Sequence, residues 1–189
     1  MTYQDIQKNI GNYRERKEGE RMIINLKDID SNMSTVEHYS VVIDDMVDEI
    51  VDKYTSELDE YIRFVNDVVR DENNPPSNQE LDDFALTIPT LMYFSSQGQE
   101  SLGVKEDVAR LFKAEAYNKI YGSLEGTIAD KKAEAELLTS DEELVQMIYE
   151  RAYKKVRLKL NLANEVLQSV KKVITRRVSE QDLTRMGGI

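Results

Sequence analysis

Cysteine is missing from the 189 residues, so a disulfide framework, a thiolate metal site and a cysteine nucleophile are all excluded. Histidine occurs once, at His38, which excludes a histidine-rich zinc site and makes any Ser-His-Asp triad depend on that residue alone. Proline (three) and glycine (eight) are scarce. That scarcity argues against collagen-like, low-complexity and turn-rich β architectures and for long helices, which need few turn residues. No apolar run approaches the roughly 18 residues of a membrane span, and the polar start MTYQDIQKNIG has no signal-peptide core. The expectation is a soluble, cytoplasmic protein with no membrane partner. The phosphate loop GxxxxGK[ST], a GxGxxG turn, HExxH and GxSxG are absent as well.

Charge is plentiful instead. Charged residues make up 32% of the chain, against roughly 25% in ordinary domains. The net charge of −11 opposes a bulk electrostatic hold on nucleic acid. It is unevenly spread: residues 151–189 hold ten Lys/Arg and three acids, or +7, which leaves −18 on the first 150. Such a split implies either acidic and basic helices matched within the protein or a basic surface kept for an anionic partner.

Several helical stretches follow from the pattern. A short helix near 2–18 leads into a connector. Ser34-Thr35-Val36-Glu37 then reads as a capping box, followed by Val36, Tyr39, Ile43, Val47, Ile50, Tyr54, Leu58, Tyr61, Val65 and Val68 at steps of three or four, a single apolar stripe to about Asp71. Asn73-Asn74-Pro75-Pro76 stops it. Ser77-Asn78-Gln79-Glu80 is a second capping box, opening a helix that Pro89 should break or kink, with a loop possible near Gly98. Helix resumes by Val104, with Val108, Leu111, Phe112, Tyr117, Ile120 and Tyr121 as its apolar face, and breaks again between Gly122 and Gly126. After a helix over about 127–138, Ser140-Asp141-Glu142-Glu143 is a third capping box. From there Val145, Tyr149, Ala152, Val156, Leu160, Ala163, Leu167, Val170 and Ile174 form one seam. A helix over 141–177 would be about 55 Å long, whereas a compact globule of this size has a radius of gyration of only about 16 Å. The expected architecture is therefore all-α: an elongated bundle of long helices with coiled-coil-like packing, oligomeric, divided into an acidic helical extension (1–72) and a helical domain with a basic final helix (73–189).

The chemistry on offer is binding. The carboxylates fall at helix-surface spacing, where solvated side chains are the plain reading, and His38 follows Glu37 directly and so lacks the Glu-x-x-His spacing of a di-metal bundle. No catalytic residue, metal or cofactor is called for. Helix 34–72 carries −9 and residues 151–177 carry +8, so the two should attract and pack side by side. The basic helix, including Arg176 and Arg177, serves either that pairing or contact with a phosphate backbone. A second patch combines Arg110, Lys113 and Lys119 with Tyr117 and Tyr121; cations interleaved with aromatics suit single strands, whose bases stack on rings, while core packing is the plain alternative for the tyrosines.

The order of elements over 79–178 resembles the UvsY-like recombination mediators of tailed bacteriophages. Gln79 through Leu91, with Leu86-Thr87-Ile88-Pro89-Thr90-Leu91 at its end, fits the family's Leu…Ile-Pro-x-Leu element, and Lys113 through Tyr121-Gly122 fits its Lys- and aromatic-rich helix before a Tyr-Tyr-x-Gly turn. Ser140-Asp141-Glu142-Glu143-Leu144 and the helix to Lys171-Lys172-Val173-Ile174-Thr175-Arg176-Arg177 fit the closing acidic turn and basic helix. This chain differs in its acidic extension and in Glu115 within the basic stretch. The resemblance implies a small, all-helical, ring-forming homo-oligomer. Such a protein binds single-stranded DNA, helps displace single-strand-binding protein and loads a RecA-type recombinase, with DNA contacts nearest Arg110, Lys113 and Lys119. Two other readings fit the same helices: a phage scaffold or connector component with no DNA affinity, and an acidic inhibitor that mimics DNA through 34–72.

Overall fold

The structure, a computed structural model, describes the backbone of residues 26–186 and the side chains of residues 33–185. The helix expected near 2–18 lies outside the described residues. Within them the protein is all-helical: α1 (Leu26–Arg70), α2 (Asn78–Ser123), α3 (Ile128–Leu138) and α4 (Ser140–Met186), with no strand among the described residues. Contacts divide the chain into residues 1–41 and residues 42–189. The first unit contributes the opening turns of α1, where the Ser40 hydroxyl donates to the Glu37 carbonyl at 2.8 Å. The second unit holds the bundle.

Two expectations at α1 change. The helix already runs from Leu26, so Ser34 is an interior residue and not its N-cap. Residues 26–33 (LKDIDSNM) contain neither proline nor glycine, and nothing in them stops the helix from extending upstream. Of the stripe, Val47, Leu58 and Val65 are buried, with Val51 beside them from outside it, whereas Val36 and Tyr39 are exposed. The stop is as expected: the Asp71 carboxylate accepts from the amides of Asn73 (2.9 Å) and Asn74 (3.3 Å), forming a local turn before the two prolines.

The second capping box is made. The Ser77 hydroxyl accepts from the Glu80 amide at 3.2 Å, and the Glu80 carboxylate accepts from the Ser77 amide at 2.6 Å. From that cap α2 runs unbroken through both Pro89 and Gly98 to Ser123, so of the alternatives the helix continues and neither a break nor a loop occurs. Leu81, Phe84 and Ile88 before the proline, and Ser95, Gly98 and Leu102 after it, are all buried on one side. Packing on both flanks of Pro89 offsets the roughly 3 kcal/mol that an interior proline costs. Gly98 is present because α1 comes close. A Cβ there would lie 2.5–2.6 Å from the Cβ, Cγ and Cδ1 atoms of Tyr54, so glycine is what lets the two helices touch.

The third capping box lies at the start of α4, but Ser140 is the first helical residue and not the cap before it. Only Thr139 separates α3 from α4; its amide and hydroxyl both donate to the Ala135 carbonyl (3.1 and 2.9 Å), and its own carbonyl accepts from the Glu143 amide at 3.1 Å. The Glu143 carboxylate turns to Lys113 instead of back to the cap. At 47 residues α4 is about 70 Å long.

Two core clusters hold α1, α2 and α4 together. One joins Val65, Leu81, Phe84, Ile88, Leu167 and Val170, and the other Val47, Val51, Leu102, Ala152 and Val156. The expected attraction between the acidic and basic helices is realised as a ladder. Asp44 pairs with Arg151 at 3.5 Å, Asp48 with Lys155, and Asp52 with Lys159 at 3.4 Å. Partners stay 107 residues apart while both helices step by four, which requires α1 and α4 to run parallel in fixed register. Lys159 also pairs with Asp59 and donates to the buried Thr55 hydroxyl at 3.0 Å. The outer rungs are half exposed and contribute about 0–1 kcal/mol each, against about 1.5–3 kcal/mol for each fully buried Val or Leu. The seam provides the stability, and the ladder sets the register. The 72/73 division proposed from sequence falls in the α1–α2 connection, and the helices on either side of it share both clusters.

Candidate nucleic-acid interface

The end of α2 is shaped by its last turn. The Ser123 hydroxyl donates to the Ile120 carbonyl at 2.8 Å, and the Leu124 amide donates to the same carbonyl at 3.2 Å. Gly126 follows at φ +121°, a conformation that side-chain-bearing residues avoid. Thr127 then caps α3, accepting from the Asp130 amide at 3.3 Å. This reversal sends α3 back along α2 and sets the Lys131 ammonium over the Tyr121 ring, 6.0 Å from its centroid. Tyr121 in turn stacks on Tyr117, one helical turn earlier, with centroids 5.9 Å apart and planes at 16°. Both tyrosines are half-buried.

The cations chosen from sequence fall into three places. Arg110, seven residues before Tyr117, shares its flank of α2 and bonds Asp107 at 2.5 Å. Lys113 lies toward α4 and pairs with Glu143 at 3.1 Å. Lys119 is exposed, with no ion pair to any described residue. It stands two residues from both Tyr117 and Tyr121, so it points about 200° around the helix from each. The structure therefore groups Arg110, Tyr117 and Tyr121, sets Lys113 beside them as half of an ion pair, and turns Lys119 away.

Arg176 and Arg177 lie elsewhere. The Arg177 guanidinium donates to the Pro76 carbonyl at 2.6 Å and to Asn78 Oδ1 at 3.2 Å, tying α4 to the start of α2. Arg176 Nε donates to Glu180 at 2.8 Å, a bond that raises its already high pKa. Because Asn78 meets Arg177 while Lys113 meets Glu143, α2 and α4 are antiparallel. The arginine pair sits about 50 Å from Lys113 along the bundle. These are two surfaces and not one site.

Sequence reasoning missed Lys131, which only the Gly126 reversal brings to Tyr121. It also could not separate the cations of α4. Arg151, Lys155 and Lys159 are taken up by the α1 aspartates, Lys154 pairs with Glu150 on its own helix, and Arg157, Lys171 and Lys172 are exposed without an ion pair to any described residue. Among the described residues no three acidic or histidine side chains gather as a metal site would require, and no helix is long and apolar enough to cross a membrane. Comparison with protein-family models, with curated proteins and with solved structures finds no match to this chain.

Proposed function

We propose that the protein is a recombination mediator of the UvsY-like kind, a homo-oligomer that holds single-stranded DNA and helps a RecA-type recombinase replace single-strand-binding protein on it. The observation that supports the DNA-binding reading is the Tyr117–Tyr121 stack with Lys131 over the second ring and Arg110 on the same flank. Aromatic faces receive unpaired bases, and neighbouring cations receive the phosphates between them. The ion pairs of Arg110 and Lys113 are exposed or partly so and weak in water, so a phosphate competes with Asp107 and Glu143 at small cost.

Fluorescence anisotropy with labelled single-stranded DNA at two salt concentrations tests this. The expected results are binding that weakens steeply with salt, and a roughly 5- to 150-fold loss on Tyr117→Ala, since one base stack is worth about 1–3 kcal/mol. Salt-dependent binding that is insensitive to Tyr117→Ala, Tyr121→Ala and Lys131→Ala would move the contact to the Arg157, Lys171 and Lys172 flank of α4. No binding at all would select the assembly-protein alternative, which the uncovered apolar face of α2 favours on its own.

A further inference from the structure

α2 has a second apolar face. Leu86, Tyr93, Val104 and Leu111 point away from the bundle and are 72%, 62%, 59% and 67% exposed, flanked by the exposed Phe94 and Val108. Their spacing is palindromic. Leu86 stands as far before the midpoint between Gly98 and Gln99 as Leu111 stands after it, and Tyr93 and Val104 are related in the same way. We propose that this face binds a second copy of the chain, α2 against α2 and antiparallel, about a two-fold axis passing between Gln97 and Glu100 on the outer face.

Turning α2 about that axis sets Leu86 against Leu111 and Tyr93 against Val104, each contact occurring twice, as a closed two-fold interface requires. Between them Gln97 meets Glu100, so an amide N–H can donate to a carboxylate at the centre. The like charges Asp82 and Glu115 meet only at the ends of the seam, where water and salt screen them. Six side chains of this size and exposure bury roughly 600 Å² per copy, about 1,200 Å² in all, the lower edge of a standard stable interface. A parallel pairing would set each residue against its own copy and bring Glu100 against Glu100, a like-charge contact that the antiparallel register replaces with Gln97.

Two measurements on the full chain, made without nucleic acid and so independent of the DNA-binding proposal, test it. Sedimentation at micromolar concentration should show dimers or multiples of them. Leu111→Glu should halve the assembly mass while circular dichroism stays helical, and adding Leu86→Lys should restore it, because the new charges meet only in the antiparallel register. Since the chain has no cysteine of its own, Gln97→Cys should cross-link to itself with a short bismaleimide, whereas Glu165→Cys on the outer side of α4 should not. A wild-type monomer, or an oligomer that keeps its mass in folded Leu111→Glu and leaves Gln97→Cys uncross-linked, would overturn the proposal.

Discussion

The inner face of α2 buries Leu81, Phe84, Ile88 and Leu102 completely or nearly so, while its outer face leaves Leu86, Tyr93, Val104 and Leu111 mostly in water. The two sets are alike in residue type and lie in one helix, so composition does not explain the difference. The inner set falls where α1 and α4 pass, and close approach is built in at Gly98. The outer set has no covering neighbour among the described residues. Apolar spacing therefore marks a face that something will cover, without saying whether the cover is another helix of the same chain.

The largest expected effect tests that difference directly. Ile88→Ala should cost about 2–5 kcal/mol in denaturant unfolding, the transfer loss plus an unfilled cavity. Leu86→Ala, two residues away, should change stability by no more than about 0.5 kcal/mol when measured too dilute for association. Equal losses would mean that the outer face is covered within the chain, and the contrast would fail.

Next in size is Gly98→Ala. The added methyl meets the root of the Tyr54 ring, whose Cβ cannot swing aside as a side-chain tip would. Overpacking of this kind costs about 1–3 kcal/mol, even though alanine is the better helix former by up to about 1 kcal/mol. A variant at least as stable as the parent would show that α1 and α2 can separate there, and that the inner face is held less tightly than its burial implies.

Much of the fold was legible in the residues. The helical class, the stop at Asn73–Pro76, the cap at Ser77, the seam of α4 and the attraction between α1 and α4 all follow from local chemistry or from opposite charge. The misses share a cause. Pro89 and Gly98 read as interruptions because their propensities are local, while the packing that holds helix across them comes from α1 and α4, distant in sequence. Ser34 carries a capping pattern but lies inside a helix that begins at Leu26, while Ser140 is itself the first residue of α4, one position past where a cap would stand. For the candidate interface, the pairing of Tyr117 with Tyr121 was readable from their spacing. The arrival of Lys131 needed the Gly126 reversal, and the loss of Lys119 from the group needed only the two-residue offset that turns it around the helix. The total charge of α4 likewise did not reveal that Arg151, Lys155 and Lys159 are occupied.

The mildest perturbation touches neither face of α2 and acts on the cap that starts both. Ser77→Ala should cost about 1 kcal/mol. The Glu80 carboxyl is held below its ordinary value, chiefly by the Ser77 amide N–H and then by the Ser77 side chain. A carboxyl whose folded pKa is lowered stabilises the folded state above its unfolded pKa, roughly 4.3, and loses that contribution as pH falls through the lowered folded value. Glu80→Gln keeps an acceptor for the Ser77 amide but removes the titrating group. The stability gap between wild type and Glu80→Gln should therefore be present at neutral pH and shrink on acidification through that window. The carboxylate is exposed, so the gap will be small, and matched urea melts at several pH values are needed to resolve it. A gap that stays constant down to strongly acid pH would show that the charge on Glu80 adds nothing to the cap, leaving the Ser77 hydroxyl to hold the first turn of α2 for both faces.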